Sequence, residues 1–237
     1  MASRPVFLPA AEPDHRVTVM PVDFAWNAGF SVAQKKKNVS ALHRAAAKKG
    51  LKPLLEISTK SDEQLGRRLS AFSLKIETPE GEEISLEAAY QGSKVFAEGG
   101  PHTDIYEMDA RSAKRDPRIR GEKTLTHFDF FGEKWPLTPQ TAFYDWLYLT
   151  CLRPHREFLL ERLSGYKGFT DIEFNPKKSL NCQARACALL VSLLKSDALD
   201  GALRSKRAFL HTLASDVFHR DRDRKLGEKP RKTLGMS

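Results

Sequence analysis

Residues 180–196 read LNCQARACALLVSLLKS, a segment dominated by Ala, Leu, Val and Cys. A helix that is hydrophobic around most of its circumference is usually buried rather than lying on the surface. We therefore predict that this segment forms the central helix of the fold and that the rest of the chain packs around it.

The flanking segments predict both helices and strands. An amphipathic helix is predicted over residues 31–49 and ends at Gly50. Its apolar stripe consists of Val32, Val39, Leu42 and Ala46. Apolar periodicity places the other elements as follows: strands at 17–26 and 52–58, a hairpin turning at 78–81, a helix from Ser85 to the EGGP segment at 98–101, a strand or loop at 125–137, and helices at 138–152 and 155–165. The predicted class is α+β, mostly helical, with a small strand or hairpin element.

Length and composition predict a single domain. The chain has 237 residues, of which 41% are hydrophobic, and this is enough to form a real core. Prolines predict an irregular N-terminal segment over residues 1–20, followed by the main domain at 21–198 and a basic helix or tail at 199–237. No run of about 18 apolar residues and no secretory signal is present, so we expect a cytoplasmic protein without a membrane partner.

The positive charge is concentrated in two places. The net charge is +9, and residues 204–232 hold ten Lys or Arg against four Asp or Glu. A basic tail of this kind is either a solvated, partly disordered segment or a nucleic-acid tether. Lys35, Lys36 and Lys37 lie near the start of a predicted helix, where the helix dipole disfavours cations. They are either solvated surface residues or phosphate contacts.

The three cysteines do not predict a disulfide framework or a zinc site. Their number is odd and no C-x-x-C spacing occurs. Cys182 and Cys187 fall in the predicted central helix, where small buried hydrophobic residues are expected. We predict no cofactor and no metal.

The most informative polar pattern lies in residues 84–96, which read ISLEAAYQGSKVF. On a helix, residues four and seven apart lie on the same face, so Glu87, Gln91 and Lys94 form one stripe. Tyr90 lies beside that stripe. The stripe is either a surface ion pair or the acid, amide and amine of a reactive site.

Two further regions place polar groups among core-like residues. Asp145 and Trp146 lie in the 138–152 helix, where Trp146 is either a core residue or a stacking platform. A loop containing Asp171, Glu173 and Asn175 precedes the central helix. Asn181 and Arg185, four residues apart, are predicted to share a face of that helix.

Four sequence segments, in order along the chain, resemble motifs of the NADAR family, the YbiA-like N-glycosidases. SLEAAYQGSKVF at 85–96 resembles the family's E-x-x-x-Q-x-x-K core, and RRLSAFSLKI at 67–76 resembles its SNF segment, with Ser70 and Phe72 in place. SAKRDPR at 112–118 resembles the AK-x-x-G-R element, although Asp116 and Pro117 replace the small turn. FNPKKSLNCQARACALL at 174–190 is similar to the G-x-N-x-L-G helix, with Asn181 as its Asn.

The resemblance is closer to NADAR antitoxins paired with DarT-type toxins and covers roughly residues 20–195. It implies a single YbiA-like domain that removes ADP-ribose from guanine bases of DNA, with ADP-ribosylated DNA as substrate and a DarT-type toxin as functional partner. Two alternatives remain open. One is an N-glycosidase that acts on a small phosphoribosyl metabolite, and the other is a non-catalytic antitoxin that binds toxin or DNA.

The resemblance also implies roles for individual residues. Glu87 is expected to stabilise positive charge on the sugar or to act as a base. Lys94 acts either as a fixed cation or as an amine that forms a Schiff base. The predicted substrate contacts are Ser70, Phe72, Tyr90, Gln91, Lys114, Trp146, Glu173, Asn175, Asn181 and Arg185. Whether Asp171 or Glu173 fills the family's second acid position stays open.

Overall fold

The computed structural model describes residues 1–12, 15–121, 123–176 and 179–215. The helices it describes are α1 (Val32–Ala47), α2 (Gln64–Arg68), α3 (Leu86–Gly92), α4 (Ala110–Arg115), α5 (Ala142–Leu152), α6 (Arg156–Leu163), α7 (Gln183–Lys195), α8 (Leu199–Leu203) and α9 (Lys206–Ala214). The strands are β1 (Ala2–Glu12), β2 (His15–Phe24), β3 (Leu54–Glu56), β4 (Lys75–Glu77), β5 (Glu83–Ser85), β6 (Lys94–Phe96), β7 (Leu125–Phe130), β8 (Glu133–Trp135) and β9 (Gly168–Thr170). Helical residues outnumber strand residues, so the predicted α+β class is confirmed.

Helix α7 forms the centre of the fold, as its composition predicts. Every residue from Gln183 to Leu193 is buried. The helix packs against β1, β2, β9, α5 and α6, so it is covered on all sides. Cys187 on this helix and Cys182 just before it are buried free thiols, as expected for small hydrophobic residues.

A four-stranded sheet lies between α7 and α1. Its strand order is β2-β1-β9-β3, with β9 antiparallel to β1 and parallel to β3. Side chains of successive strand residues point to opposite faces. Phe7 and Leu55 therefore join the core around α7, whereas Val6 and Leu54 join a second apolar cluster with α1.

The prediction of an irregular N-terminus is wrong, because Ala2–Glu12 and His15–Phe24 form the longest strand pair of the sheet. Pro5 lies opposite Pro21, and Pro9 lies opposite Val17. Proline cannot donate to a strand ladder, so the Pro5–Pro21 pair must be of the kind without ladder hydrogen bonds. The two kinds of residue pair alternate along an antiparallel ladder, so the Pro9–Val17 pair, four residues further on, is also one without ladder hydrogen bonds. The strands therefore tolerate all three prolines.

Two smaller sheets complete the fold. Strands β4 and β5 form the predicted hairpin, in which Gly81 supplies a positive φ of 83°. Strands β6, β7 and β8 form an antiparallel sheet, so the segment at 125–137 is a pair of strands rather than a loop.

The ends of three predicted helices need correction. Helix α5 begins at Ala142 rather than Thr138, because Thr141 has a left-handed backbone with φ of 71°. Helix α3 ends at Gly92 rather than near residue 98. A side chain at Gly92 would place its Cβ 2.5 Å from Cε1 of Tyr106, so only glycine fits there. Helix α1 begins at Val32, with Ser31 as its N-cap, and Val32 is exposed and lies outside the predicted apolar stripe.

The end of the described chain packs onto the core. Leu203 on α8 and Phe209 and Leu213 on α9 belong to the main apolar cluster. The rest of the predicted basic tail, residues 216–237, lies outside the described residues. Within the described part of the chain, no helix combines the length and the apolar character needed to cross a membrane.

A buried ion pair joins α5 to α7. Arg185 Nη1 donates to Asp145 Oδ2 over 2.6 Å, and the side chains are only 2% and 1% exposed. Thr141 Oγ1 donates to the same carboxylate oxygen over 2.7 Å. A guanidinium in this position is stable only while the carboxylate compensates its charge.

We expect Asp145→Asn to lower the free energy of unfolding by about 3–5 kcal/mol, because it leaves the Arg185 charge buried without its counterion. Chemical denaturation of the purified protein measures this loss. The matched control is Asp200→Asn, which removes the partner of Arg153 in a half-exposed pair and should cost about 0–1 kcal/mol. Equal losses of unfolding free energy in both variants would show that the buried pair stabilises the fold no more than the half-exposed pair does.

Candidate active site

Helix α3 places an acid and an amide side by side beneath the surface. Ser85 caps the helix by accepting the Ala88 N–H over 3.1 Å. Glu87 lies in the first turn, where the helix dipole favours a carboxylate, and is only 5% exposed. One turn later, Gln91 Nε2 donates to Glu87 Oε1 over 2.8 Å.

The carbonyl oxygen of Gln91 is an unsatisfied hydrogen-bond acceptor among the described residues. Because the amide nitrogen donates to Glu87, the orientation of the Gln91 side chain is set and Oε1 faces away from the carboxylate. Among the residues that the structure describes, Oε1 is buried without a hydrogen-bond partner. A buried acceptor in this state costs about 1–3 kcal/mol, which a bound hydroxyl or N–H group would recover.

The Lys94 side chain approaches Glu87 and Gln91 from a strand, whereas the sequence predicted that all three residues share one helix. It is the first residue of β6 and pairs with Phe128 of β7. Its Nζ lies 5.1 Å from the centroid of the Tyr90 ring. Burial lowers the pKa of the Lys94 amine to about 8; Glu87 raises it and Lys114 lowers it.

A second amine approaches Glu87 from the surface. Lys114 on α4 places Nζ 3.9 Å from Glu87 Oε1, and its side chain is 55% exposed. The same Nζ lies 5.0 Å from the centroid of the Phe72 ring. The buried carboxylate therefore lies directly beneath an exposed cation, and the predicted residues Phe72 and Lys114 meet at its edge.

Tyr90 connects α3 to the segment before α7. Asn181 Nδ2 donates to the Tyr90 hydroxyl over 2.6 Å. The Tyr90 ring packs against Phe128, Phe143 and Tyr144 at centroid distances of 5.3, 6.2 and 5.4 Å. Burial raises the pKa of the Tyr90 phenol, so it stays a neutral partner for the amide. Asn181 precedes α7 rather than lying on it, so it does not share a helical face with Arg185.

Two predicted substrate contacts, Ser70 and Arg185, are buried in the core, and a third, Trp146, is half-buried against it. Ser70 is fully buried, and its hydroxyl donates to Gln183 Oε1 over 3.3 Å. Trp146 packs against Trp135 at a centroid distance of 4.9 Å. Arg185 binds Asp145, so its guanidinium holds α5 to α7, and its predicted contact with pyrophosphate gains no support.

The loop before Asn181 separates the two candidate acids. Glu173 is 44% exposed and forms an ion pair with Lys35 over 3.1 Å. Asp171 is buried, and its Oδ1 accepts the Glu173 N–H over 2.9 Å. Asn175 is half-buried, and its backbone carbonyl accepts the Ser179 N–H over 2.9 Å. Of the two acids, only Asp171 lies in the interior.

Sequence reasoning missed a second buried carboxylate, Glu56. It accepts hydrogen bonds from Ser58 Oγ, Thr170 Oγ1 and the Ile172 N–H over 2.7, 2.6 and 2.8 Å. Burial raises the pKa of Glu56, and the charge of Asp171 raises it further. An acid inside the apolar strand LLE was the available signal.

The Tyr144 phenol is influenced by the charges of two buried acids, Glu87 and Asp171. Burial raises the pKa of the Tyr144 phenol, and the charges of both Glu87 and Asp171 add to this increase. Both carboxylates are therefore within electrostatic reach of one ring. Among the described residues, no group of three or more His, Cys, Asp or Glu is placed to hold a metal ion.

Two surface depressions lie away from this constellation. One, of about 650 Å³, lies between the β4–β5 hairpin and residues 103–109 and is lined by several acids. The other, of about 510 Å³, lies on α1 and is lined by Lys36, Lys37 and Arg44. Glu87 and Lys94 line neither of them.

Comparison with known proteins identifies the family. A family model described as the DarT1-associated NADAR antitoxin matches residues 2–223, which is most of the chain. No curated protein matches the chain.

We expect the Lys94 amine to titrate near pH 8, well below the ordinary value of about 10.4 for lysine. The pH dependence of acetylation at each lysine, followed by mass spectrometry, measures this pKa. Glu87→Gln should lower it further, because the carboxylate stabilises the ammonium form, whereas Lys114→Met should raise it. Shifts of the same sign in both variants would contradict the arrangement.

Proposed function

The chain belongs to the DarT1-associated NADAR antitoxin family, and on that premise we propose that it is a glycohydrolase that removes ADP-ribose from guanine bases of DNA. It cleaves the N-glycosidic bond between the ribose and the base, so the guanine is restored without excision. The reaction reverses the modification made by a DarT-type toxin.

The observation that carries this proposal is the buried Glu87 with its amide and amine neighbours. Cleavage of a bond from ribose C1 to nitrogen develops oxocarbenium-like positive charge on the sugar. A carboxylate held by Gln91 and largely shielded from water stabilises such charge more strongly than one in solvent. Glu87 therefore acts on the sugar side, as electrostatic stabiliser or as the base that activates water.

Lys94 has the properties that a nucleophilic amine requires. With a pKa of about 8, the Lys94 amine is neutral in roughly a tenth of the protein molecules at pH 7. In the covalent route, Nζ bonds to ribose C1 as the guanine leaves with a proton, and ring opening gives a Schiff base. Water then hydrolyses the imine and releases ADP-ribose and the free amine. In the alternative route, the ammonium form of Lys94 binds the substrate while water attacks C1.

The residues around Glu87 and Lys94 provide hydrogen-bonding and charged groups for the diphosphate, the ribose and the base of the substrate. Lys114 is exposed and lies at the edge of the site, where a cation can bind the diphosphate. Gln91 Oε1 is an acceptor for a ribose hydroxyl or a base N–H. Asn181 is held by Tyr90 and points its amide toward the same helix. In DNA the modified guanine must leave the base stack to reach Glu87, so a guanine that is already unpaired, in single-stranded DNA or between two stretches of duplex, is the better substrate.

We expect Glu87→Gln to slow ADP-ribose release by roughly 10²–10⁴-fold, because the isosteric amide cannot stabilise positive charge on the sugar. The assay incubates the protein with a guanine-ADP-ribosylated oligonucleotide and measures free ADP-ribose and restored DNA by mass spectrometry.

The matched control for this assay is Glu83→Gln, which changes an exposed acid on β5 that is paired with Lys75. It should leave the rate unchanged. If Glu87→Gln still protects cells from the toxin in full, the protein neutralises by binding and the glycohydrolase proposal fails. Release from a phosphoribosyl metabolite but not from DNA would favour the metabolite alternative.

We expect borohydride added during turnover to trap an ADP-ribosyl adduct on Lys94, because borohydride reduces an imine to a stable amine. Peptide mass spectrometry locates the adduct. The companion variant is Lys94→Arg, which keeps a cation but cannot form the imine. The covalent route predicts loss of activity with this variant and no adduct. Near-normal activity of Lys94→Arg would contradict the covalent route and would support the role of Lys94 as a fixed cation.

A further inference from the structure

Helix α1 has an unusual charge composition. Between Phe24 and Leu55 the chain contains seven Lys or Arg residues and no Asp or Glu. Exposed helices that serve only as solvated surface usually carry charges of both signs, since pairs three or four residues apart support the helix. The absence of acids over this length points to an anionic partner.

The free cations lie on the face of α1 that points away from the protein. Val39, Leu42 and Ala46 are buried on one side of the helix. Lys37, Arg44 and Lys48 are exposed, and at 100° per residue they lie within about 40° of one another on the opposite side. None of the three forms an ion pair with a described residue, whereas Lys35 and Lys36 are paired with Glu173 and Asp62.

A shallow depression lies beside Lys37 and Arg44 and is lined mostly by hydrogen-bond donors. The depression of about 510 Å³ on α1 has lining residues that supply N–H, O–H or ammonium donors: Asn27, Lys36, Lys37, Ser40 and Arg44, with Ala33 as the small residue among them. Ordinary phosphate ligands in proteins are drawn from the same donor types.

The inner side of α1 contacts the segment that leads to the candidate active site. The Thr170 hydroxyl donates to Glu56, so its 2.8 Å contact with His43 requires a proton on Nε2 of the imidazole. Burial lowers the pKa of His43 to about 4, so this ring is neutral and adds no charge to the outer face. From Thr170 the chain continues through the loop to Asn181, which binds Tyr90.

We propose that the outer face of α1, formed by Lys37, Arg44 and Lys48, binds the phosphate backbone of duplex DNA beside the modified guanine. The eleven residue-to-residue steps from Lys37 to Lys48 span about 16 Å, which corresponds to roughly five base pairs of axial rise. The inference rests on the proposed function, since it takes DNA as the substrate. In this arrangement α1 holds the duplex that flanks the modified guanine, while Glu87 on α3 and Lys94 on β6 act on the extruded nucleotide.

The test is the affinity of the full chain for an unmodified 20-base-pair duplex, measured by fluorescence anisotropy at several salt concentrations. The variant Lys37→Gln/Arg44→Gln/Lys48→Gln keeps good helix formers at all three positions. We expect its Kd to rise at least tenfold at about 0.1 M salt. Its log K against log salt slope should be shallower by about 2.7, since each lost phosphate contact removes about 0.9.

The matched control is Lys134→Gln/Lys195→Gln/Arg204→Gln, which removes the same charge at exposed positions away from α1. Circular dichroism confirms that both variants fold. Equal weakening in both variants would show that net charge alone attracts DNA, and no weakening in the α1 variant would show that this face binds something else, such as an acidic protein surface; either result overturns the inference. Because the duplex carries no ADP-ribose, the outcome does not depend on whether the wild-type protein is a glycohydrolase.

Discussion

The burial of α7 is the constraint on which the rest of the structure depends. Each polar group on a fully buried helix needs a partner inside the protein, because water cannot supply one. Arg185 finds Asp145 on α5. The Ser192 hydroxyl accepts the Ala10 N–H over 3.1 Å and donates to the Arg16 carbonyl, so it ties α7 to the first two strands. The hydrophobic helix therefore supplies the core, and its few polar side chains determine where the neighbouring elements sit.

The candidate active site is built on the N-terminal end of the same helix. Gln183 Oε1 accepts the Ala71 N–H over 2.8 Å and so holds the segment that carries Phe72. Asn181, two residues earlier, binds Tyr90 on α3. These contacts join segments more than 90 residues apart in the chain, so the geometry around Glu87 depends on α7 being in place.

Among the described residues, two glutamates, Glu87 and Glu56, are buried in different surroundings. Glu87 lies at a helix N-terminus, accepts a hydrogen bond from Gln91 and faces the ammonium of Lys114. Burial raises the pKa of Glu56, and the charge of Asp171 raises it further. Glu87 therefore has an exposed cation and a second amine beside it, whereas Glu56 is a hydrogen-bonded support for the strand and loop that lead to Asn181. The contrast explains why Glu87 is the acid to which we assign chemistry.

The central helix, the hairpin, the α+β class and the grouping of Glu87 with Gln91 could be predicted from the sequence, because they follow from periodicity within individual segments. The N-terminal strand pair could not be predicted in this way, since prolines are tolerated there according to which partner they face. Tertiary structure also moved Lys94 from a helix to a strand, because residues 94–96 pair with β7, and Phe128, the partner of Lys94, lies more than 30 residues further along the chain. The pairing of Arg185 with Asp145 and the burial of Asp171 rather than Glu173 were likewise invisible in the sequence. Charges that are close in space but distant in the chain leave no local pattern, so their partners are known only once the chain has folded.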